Sequence, residues 1–227
     1  MTADDLDWVV EVTRQRRESL GPHAPRFWCP AEDATERHRA FMAYLIEEPE
    51  ALSVRSHNGY LIARNRGPVW LVDDAVVTEH GAWAADGVRL LRHAQVHCGA
   101  LRFVVPVFET SRMEAGLSVG LAPVEQWWHR DLDAVGQGAD DADEDPSVIV
   151  EGAKGRLVPA PPVYSPGGPV LLVTEVDAIV SLRRIEAMAA MRGARVSVVT
   201  QTPSDASLAT LLSEAGYVLT TAFCEGR

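Results

Sequence analysis

The sequence predicts an α/β fold, a mixed β-sheet flanked by helices and followed by a second, partial βαβαβ half. Helical and strand-like apolar patterns alternate along the first 132 residues, as in domains that cover a sheet with helices. Short stretches of that part recur in the same order further along the chain. Of the 227 residues, 47% are hydrophobic, which is enough for a sizeable core.

Two helices and three strands are expected first. A stripe at spacing i, i+3, i+4, i+7 predicts an amphipathic helix, and a second helix is expected from about Pro30, which suits a first helical turn. Asn58-Gly59 predicts a tight hairpin between the first two strands. The helical stripe is Leu6, Val9, Val10, Thr13, and the three strand-like runs are "ALSVRS", "YLIARN" and "VWLVDDAVV".

A helix, a strand, a short helix and a closing strand are expected next. The stripe Gly87, Leu90, Leu91, Ala94 predicts a helix that runs to about Cys98. The later elements are "LRFVVPV", "TSRMEAGLSVG" and "EQWWHR". Antiparallel strands followed by alternating strands and helices indicate a mixed sheet.

An internal repeat defines the predicted domains. "GPVWLV" from Gly67 matches "GPVLLV" from Gly168, and "GALRFVV" from Gly99 matches "GARVSVV" from Gly193. The second copy is expected to lack the two helices and the hairpin that open the first, and the Pro-rich stretch "RLVPAPPVYSPGGP" is expected to be irregular. The predicted domains are residues 1–132, an acidic linker at 133–147, and a half-domain at 148–227.

Charge argues against a nucleic-acid partner. The net charge is −11, and seven acidic residues lie between Asp131 and Asp145, as expected of a solvated linker. The basic run "RQRR" at Arg14 to Arg17 is interpreted as a solvated helix face, whereas nucleic-acid binding needs a clustered basic surface.

The remaining composition predicts a cytoplasmic protein without a membrane segment or a metal site. The three cysteines are widely spaced, and the acidic N-terminus lacks the positive charge of a signal peptide. No apolar run approaches a membrane span. His93 and His97 have the i, i+4 spacing of zinc ligands but no identifiable third ligand, so two surface histidines are expected.

The turn after the third strand raises the question of a phosphorylated cofactor. "HGAWAADGVRLL" joins a strand to a helix, and helix N-termini attract anions through unpaired amides and the helix dipole. Glycine is needed where a side chain would block a phosphate. This turn contains Gly81 and Gly87, with Asp86 just before the second.

The order of elements and the pattern "WLVDDAVV…W…GVRLL…LRFVVP…GL…EQWWHR" resemble the GNAT N-acetyltransferase superfamily, specifically its divergent actinobacterial-type members. The resemblance covers roughly residues 5 to 132, with a weaker, degenerate echo from 168 to 225. It implies acetyl-CoA as co-substrate, with backbone groups at Val76 and Val77 for the pantetheine arm and Gly87 beside the pyrophosphate. Ala82 and Ala85 depart from the family's [QR]-x-x-G-x-[GA] turn.

The resemblance also implies positions for acid and base. The position of the family's tyrosine acid corresponds to Gly116. The family's base lies on its fourth strand, which is "VWLVDDAVV" in this sequence, and corresponds to Asp74. Burial would raise the pKa of this carboxylate. The alternative is that Asp74 or Asp73 pairs with an arginine such as Arg64 or Arg66.

The closing strand carries aromatic residues on both faces. Alternation places Trp127 and His129 on one face and Trp128 and Arg130 on the other. The tryptophans either fill the core and cover an edge, or one of them lines an acceptor or partner pocket.

Two functions remain open. The first is acetyl transfer from acetyl-CoA to a small-molecule or peptide amine, with Asp74 assisting deprotonation. The second is a non-catalytic GNAT-fold module that senses a ligand, docks a protein partner or forms a homodimer. In the family's numbering, the strands "VWLVDDAVV" and "LRFVVPV" are the fourth and fifth. An open gap between them would favour the enzyme, and a side chain that fills the gap would favour the module.

Overall fold

The computed structural model describes residues 1–24, 26–79, 81–133 and 145–227, which cluster into two compact units. The first unit comprises Met1–Glu18, Thr35–Glu125 and Thr221–Arg227, and the second comprises Ser19–Ala34 and Gln126–Thr220. The predicted domains are 1–132 and 148–227, whereas residues 19–34 and 126–132 cluster with the second unit and residues 221–227 cluster with the first. The domain bounds stay a prediction, and residues 134–144 of the predicted linker lie outside the described residues.

The elements of the first unit follow the predicted order. A short 3₁₀ turn at Ala3–Asp5 precedes them. They are α1 (Leu6–Leu20), α2 (Ala34–Glu47), β1 (Ala51–Arg55), β2 (Gly59–Asn65), β3 (Trp70–Val77), α3 (Asp86–Cys98), β4 (Leu101–Pro106), α4 (Thr110–Ser118), the start of β5 (Ala122–Asp131) and the end of β10 (Val218–Gly226).

Helix α2 begins at Ala34 and not at Pro30. The backbone around Pro30 instead pairs with a later segment of the second unit, through an isolated bridge to Tyr164. The Ala31 N–H donates to the carbonyl oxygen of Val163 at 3.1 Å. This pairing holds the segment extended and delays the helix by one turn.

The sheet of the first unit is mixed, as predicted. Strands β1, β2 and β3 are antiparallel, β4 lies parallel to β3, and β10 pairs antiparallel to β4. One face packs α3 and α4 over a core that includes Leu61, Phe103 and Leu121. The other face packs α1 and α2 over a core around Met42 and Tyr60.

Strands β3 and β4 part from each other near the middle of β3. Their pairing ends at Val72 with Phe103, although β3 continues to Val77 and β4 to Pro106. In the pairing of β2 with β3, Ile62 lies opposite Asp74 and Ala63 lies opposite Val72, so Asp73 is an extra residue that forms a β-bulge in β3 at the same level. Bulges increase local twist and end regular pairing, so this bulge positions a gap between the two strands.

The second unit repeats the arrangement of strands, with two strands more than predicted. Strands β6, β7 and β8 are antiparallel, β9 is parallel to β8, and β5 pairs antiparallel to β9. Its elements are β6 (Ser147–Val150), β7 (Ala153–Val158), β8 (Val170–Val176), α5 (Ile179–Met191), β9 (Val196–Gln201), α6 (Ala206–Glu214), the end of β5 and the start of β10.

The hairpin of β6 and β7 corrects two expectations. The second copy does have an opening hairpin, and residues 156–158 of the Pro-rich stretch belong to β7. The turn between the strands uses Gly152 at φ +79°, a conformation that glycine adopts readily. This hairpin has a weak sequence signal because its short first strand directly follows the acidic run.

Each unit is completed by a strand from the other half of the sequence. Residues Thr221–Gly226 of β10 pair with β4 in the first unit. Residues Gln126–Asp131 of β5 pair with β9 in the second. The two halves therefore exchange their last strands.

Among the described residues, no helix combines the length and the apolar character needed to cross a membrane.

Candidate functional site

Ionisable side chains gather in the first unit beside the gap between β3 and β4. We call this set the gap cluster. Its three guanidiniums outnumber its two carboxylates, so the cluster has an excess of positive charge when its histidine is neutral. The members are Arg16, Arg17, His38, Asp74, Glu109 and Arg112, all mostly or fully buried.

Arg17 determines the tautomer of His38. The guanidinium of Arg17 donates to Nδ1 of His38 at 2.9 Å and to the hydroxyl of Thr35 at 3.0 Å. Because arginine has no acceptor, Nδ1 must carry a lone pair and the ring hydrogen sits on Nε2. That nitrogen lies 3.6 Å from Oδ2 of Asp74. Both ring nitrogens of His38 are thus engaged, and neither is left to act as a base.

Asp74 lies on the sheet face covered by α1 and α2, and its carboxylate stays ionised. Burial raises its pKa in the predicted direction, but the His38 hydrogen bond and the charges of Arg16 and Arg112 outweigh burial and lower it overall. The alternative expectation named Arg64 or Arg66 as the partner. The structure instead places Nε2 of His38 beside Asp74, and the guanidinium of Arg64 lies 5.3 Å from the centroid of the Phe41 ring. The role of Asp74 as a base stays a prediction.

Arg112 fills the gap between β3 and β4. Its guanidinium donates to the carbonyl oxygen of Ala75 on β3 at 2.6 Å and to that of Val104 on β4 at 2.7 Å. The side chain is completely buried. It lies over the rings of Phe103 and Trp83, at 4.6 and 5.1 Å from their centroids. The backbone oxygens that flank the gap are thus already bound by the protein itself.

Glu109 balances this buried charge. Its carboxylate lies 3.4 Å from Nη1 of Arg112 and 3.3 Å from Nε of Arg16. A buried guanidinium needs such a partner, because desolvation of an unpaired charge is costly.

Trp83 occupies the turn that the sequence offered as a phosphate site. The indole is buried in a 3₁₀ turn at Ala82–Ala84, 5.9 Å from the ring of Phe103. A Cβ at Gly87 would lie 2.2 Å from Cε3 of Trp83. Packing alone therefore explains why position 87 is a glycine, since any side chain there would collide with the indole. Its role beside a pyrophosphate stays a prediction.

Asp86 places a negative charge at the start of α3. The carboxylate is buried and accepts hydrogen bonds from Nδ2 of Asn58 at 3.1 Å and from the guanidinium of Arg89. Arg89 thus offsets this charge. A carboxylate at a helix N-terminus also complements the helix dipole that would attract an external anion.

The remaining implied positions carry little chemistry of their own. Val76 is buried in the core under α1 and α2, and Val77 packs towards α3 and α4. A Cβ at Gly116 would meet the Phe103 ring at 3.3 Å.

Burial and the nearby Asp74 raise the pKa of Tyr60. Its hydroxyl donates to Thr13, whose own hydrogen goes to the carbonyl oxygen of Val9.

Most of the gap cluster was not predicted from the sequence. The run at Arg14 to Arg17 was interpreted as a solvated face. Arg17 is buried, whereas Arg14 does make exposed pairs with Glu11 and Glu18. Arg16 and Arg17 are adjacent in sequence and so do not lie on one helix face. Which of them is buried becomes clear only from the packing of α1. Arg112 had no signal beyond its place in a short amphipathic helix.

The histidine pair on α3 forms no metal centre in the residues described here, where no three potential ligands converge. The rings of His93 and His97 lie 4.1 Å apart, and Nδ1 of His97 is 2.8 Å from the carbonyl oxygen of His93.

Known structures share this fold at low sequence identity. A GCN5-related N-acetyltransferase from Sphaerobacter thermophilus gives a TM-score of 0.52 at 13% identity, over 85% of this chain and 85% of that chain. A Thermoplasma acidophilum protein, provisionally assigned as an acetyltransferase, gives 0.53 at 12%, over 86% and 85%. The chain has the GNAT fold. No protein-family model and no curated protein matches the sequence.

The gap between β3 and β4 has a specific meaning within the GNAT fold. The predicted resemblance placed an acyl-CoA arm between the strands here numbered β3 and β4. In this chain the same position holds the guanidinium of Arg112, hydrogen-bonded to both strands. Likeness at this identity establishes the fold, and function must be argued from the site.

Proposed function

We propose that this protein uses the GNAT fold as a non-catalytic binding module and does not transfer acyl groups from CoA. One observation carries the proposal, which is the buried guanidinium of Arg112 between β3 and β4. Entry of a pantetheine arm would remove a cation from two carbonyl oxygens and from Glu109. Each of these groups would then need a new partner in a buried site.

The turn before α3 supports the same proposal. Trp83 fills the space above Gly87, and Asp86 supplies the protein's own anion at the helix N-terminus. A CoA pyrophosphate would have to compete with this carboxylate for Arg89 and for the positive end of the helix dipole.

Acetyl transfer from acetyl-CoA to an amine is the second candidate, and the ionised Asp74 on the α1–α2 face favours it. In that reaction the amine nitrogen forms a bond to the thioester carbon and the CoA thiolate leaves. The amine proton passes to Asp74 or to water. A carboxylate with a lowered pKa is a weak base, so Asp74 would mainly hold a cationic amine in place.

Calorimetric titration of the wild-type protein with acetyl-CoA and with CoA separates the two candidates. The module predicts no binding heat and no thermal shift at about 1 mM ligand, near the upper end of ordinary substrate affinities. Micromolar binding accompanied by acetyl transfer to an amine would contradict the module and support acyl transfer; Arg112→Ala should then strengthen the binding, while Arg102→Ala should leave it unchanged. Because the titration of the wild-type protein separates the candidates, an unstable variant does not obscure the result.

A further inference from the structure

His129 in the second unit lies among aromatic rings on β5. The ring of Phe27 stacks on the imidazole with centroids 4.3 Å apart. The rings of Trp28 and Trp127 are nearly perpendicular to the imidazole, with centroids 6.0 and 6.4 Å away, and Tyr164 stacks on Phe27 with centroids 6.3 Å apart. We call these five residues the His129 cage.

The hydrogen bonds of Thr220 fix the tautomer of His129. The threonine hydroxyl donates its single hydrogen to the carbonyl oxygen of Trp127 at 3.3 Å. It also lies 2.5 Å from Nδ1 of His129 and must accept a hydrogen there. The ring hydrogen is therefore on Nδ1, and Nε2 carries a lone pair.

This lone pair has no donor within the described part of the chain, although the side chain is only 4% exposed. Burial lowers the pKa of His129 to about 3, so the ring does not satisfy Nε2 by taking up a proton. Buried acceptors without donors are rare in folded proteins and need an explanation, such as a bound ligand or a water.

The surroundings of Nε2 favour a cation as the donor. Aromatic faces attract ammonium groups through their quadrupole, and several rings together form the usual cage for such ligands. Strand alternation places Asp131 on the same face of β5, where its carboxylate is 3.5 Å from Nε of Arg26. Asp131 thus already has a cationic partner, and the attraction for a bound cation comes from the rings.

A short two-segment cover holds the rings over β5. The Ser165 N–H donates to the carbonyl oxygen of Cys29 at 2.8 Å, next to the bridge between Pro30 and Tyr164. Phe27 and Trp28 lie under this cover and are buried, whereas Trp127 and Tyr164 are half-buried. Nε2 itself is closed to solvent, so a ligand must displace part of this cover to reach it.

We propose that the His129 cage binds a compact organic ammonium ion that carries at least one N–H, which donates to Nε2 of His129 while the charge lies against the rings. The donor requirement separates this site from a purely aromatic cage, which would hold a quaternary ammonium as well. The proposal does not depend on what the first unit does with acyl-CoA.

Nitrogen NMR of the wild-type protein with ¹⁵N-labelled histidine tests the proposal directly. Methylammonium chloride should shift the Nε2 signal of His129 in the direction of an accepted hydrogen bond and change tryptophan fluorescence. Tetramethylammonium chloride, matched in charge but lacking an N–H, should bind at least tenfold more weakly. His129→Phe keeps the stacked ring and should abolish the methylammonium response, whereas His97→Phe should retain it.

Two outcomes would overturn the proposal. Equal binding of the two cations would mean that Nε2 is not used. No shift with about 100 mM methylammonium, weaker than any specific site of this kind, would mean that a buried water alone satisfies Nε2. Both outcomes are measured on the wild-type protein, so they do not depend on the stability of the variants.

Discussion

The guanidinium of Arg112 is hydrogen-bonded to the carbonyl oxygen of Ala75 at 2.6 Å, in the place where two neighbouring strands part. The same guanidinium reaches β4 through Val104. It thereby replaces the pairing that β3 and β4 lose after Val72 and Phe103. An arginine fork suits this task because its donors lie in a fixed plane and can bind two acceptors at once.

Replacing Arg112 by methionine should lower the free energy of unfolding by about 2 to 5 kcal/mol, because two buried carbonyl oxygens and Glu109 lose a partner. Arg112→Lys should lose less, since it keeps the charge but not the fork. Urea unfolding measures both changes. Arg102→Met removes a partly exposed arginine paired with Glu125 and Glu225 and should cost about 1 kcal/mol or less. If Arg112→Met cost no more than this control, the bridge would be unimportant for stability.

Substitution of Gly87 by alanine should destabilise the protein by about 1 to 3 kcal/mol, the usual cost of overpacking. The new Cβ would lie 2.2 Å from the Trp83 ring. Gly81→Ala is the matched control, because nothing lies within 4 Å of a Cβ there. Thermal unfolding of both variants checks the prediction. Alanine alone would stabilise the helix by about 1 kcal/mol, so a stabilised Gly87→Ala would show that the indole does not restrict this position. Trp83→Leu should restore part of the loss.

Stability should depend on pH through His129. Burial lowers the pKa of this ring from 6.5 to about 3, so between these values the unfolded chain binds a proton that the folded chain does not. The free energy of unfolding therefore falls as the pH is lowered through this window, by at most about 1.4 kcal/mol per pH unit from this group. The difference between wild type and His129→Phe, from urea unfolding at several pH values, should fall with this slope. A difference independent of pH would be inconsistent with a buried neutral imidazole.

Tyr217→Phe should destabilise the second unit by about 1 to 3 kcal/mol, the cost of leaving a buried polar group without its partner. The tyrosine hydroxyl donates to Glu186 at 2.7 Å and lies 2.6 Å from the hydroxyl of Ser197. Arg130 also pairs with Glu186, at 2.5 Å. Hydrogen exchange of amides in β9 would locate the loss. An unchanged exchange pattern and stability would show that Arg130, together with Arg183 at 2.9 Å, satisfies Glu186 without the tyrosine.

Much of the fold could be predicted because apolar spacing and turn residues are local signals. The stripe from Leu6 and the Asn58-Gly59 turn each specify an element without help from distant residues. The β6–β7 hairpin was missed because its first strand has four residues beside a long acidic run. The exchange of β5 and β10 has no local signal at all, since either strand could have paired with either neighbour.

The site was less predictable than the fold. Asp74 lies beside the gap as expected, but the direction of its pKa shift depends on His38, Arg16 and Arg112, which come from other elements. Gly87 looked like a residue that admits a ligand, and in the structure it admits an indole. The sequence shows that the residue at a position must be small. Only the packed structure shows which neighbouring group occupies the space that a side chain would need.

The pairing of Thr221–Gly226 with β4 has a consequence for the nascent chain. When only the first half of the chain has emerged from the ribosome, β4 still lacks its antiparallel neighbour. An unpaired strand edge can then associate with other chains. Closure of that edge requires contacts between residues more than one hundred positions apart, and such contacts form slowly. We therefore expect completion of the first unit to follow synthesis of residues 221–226.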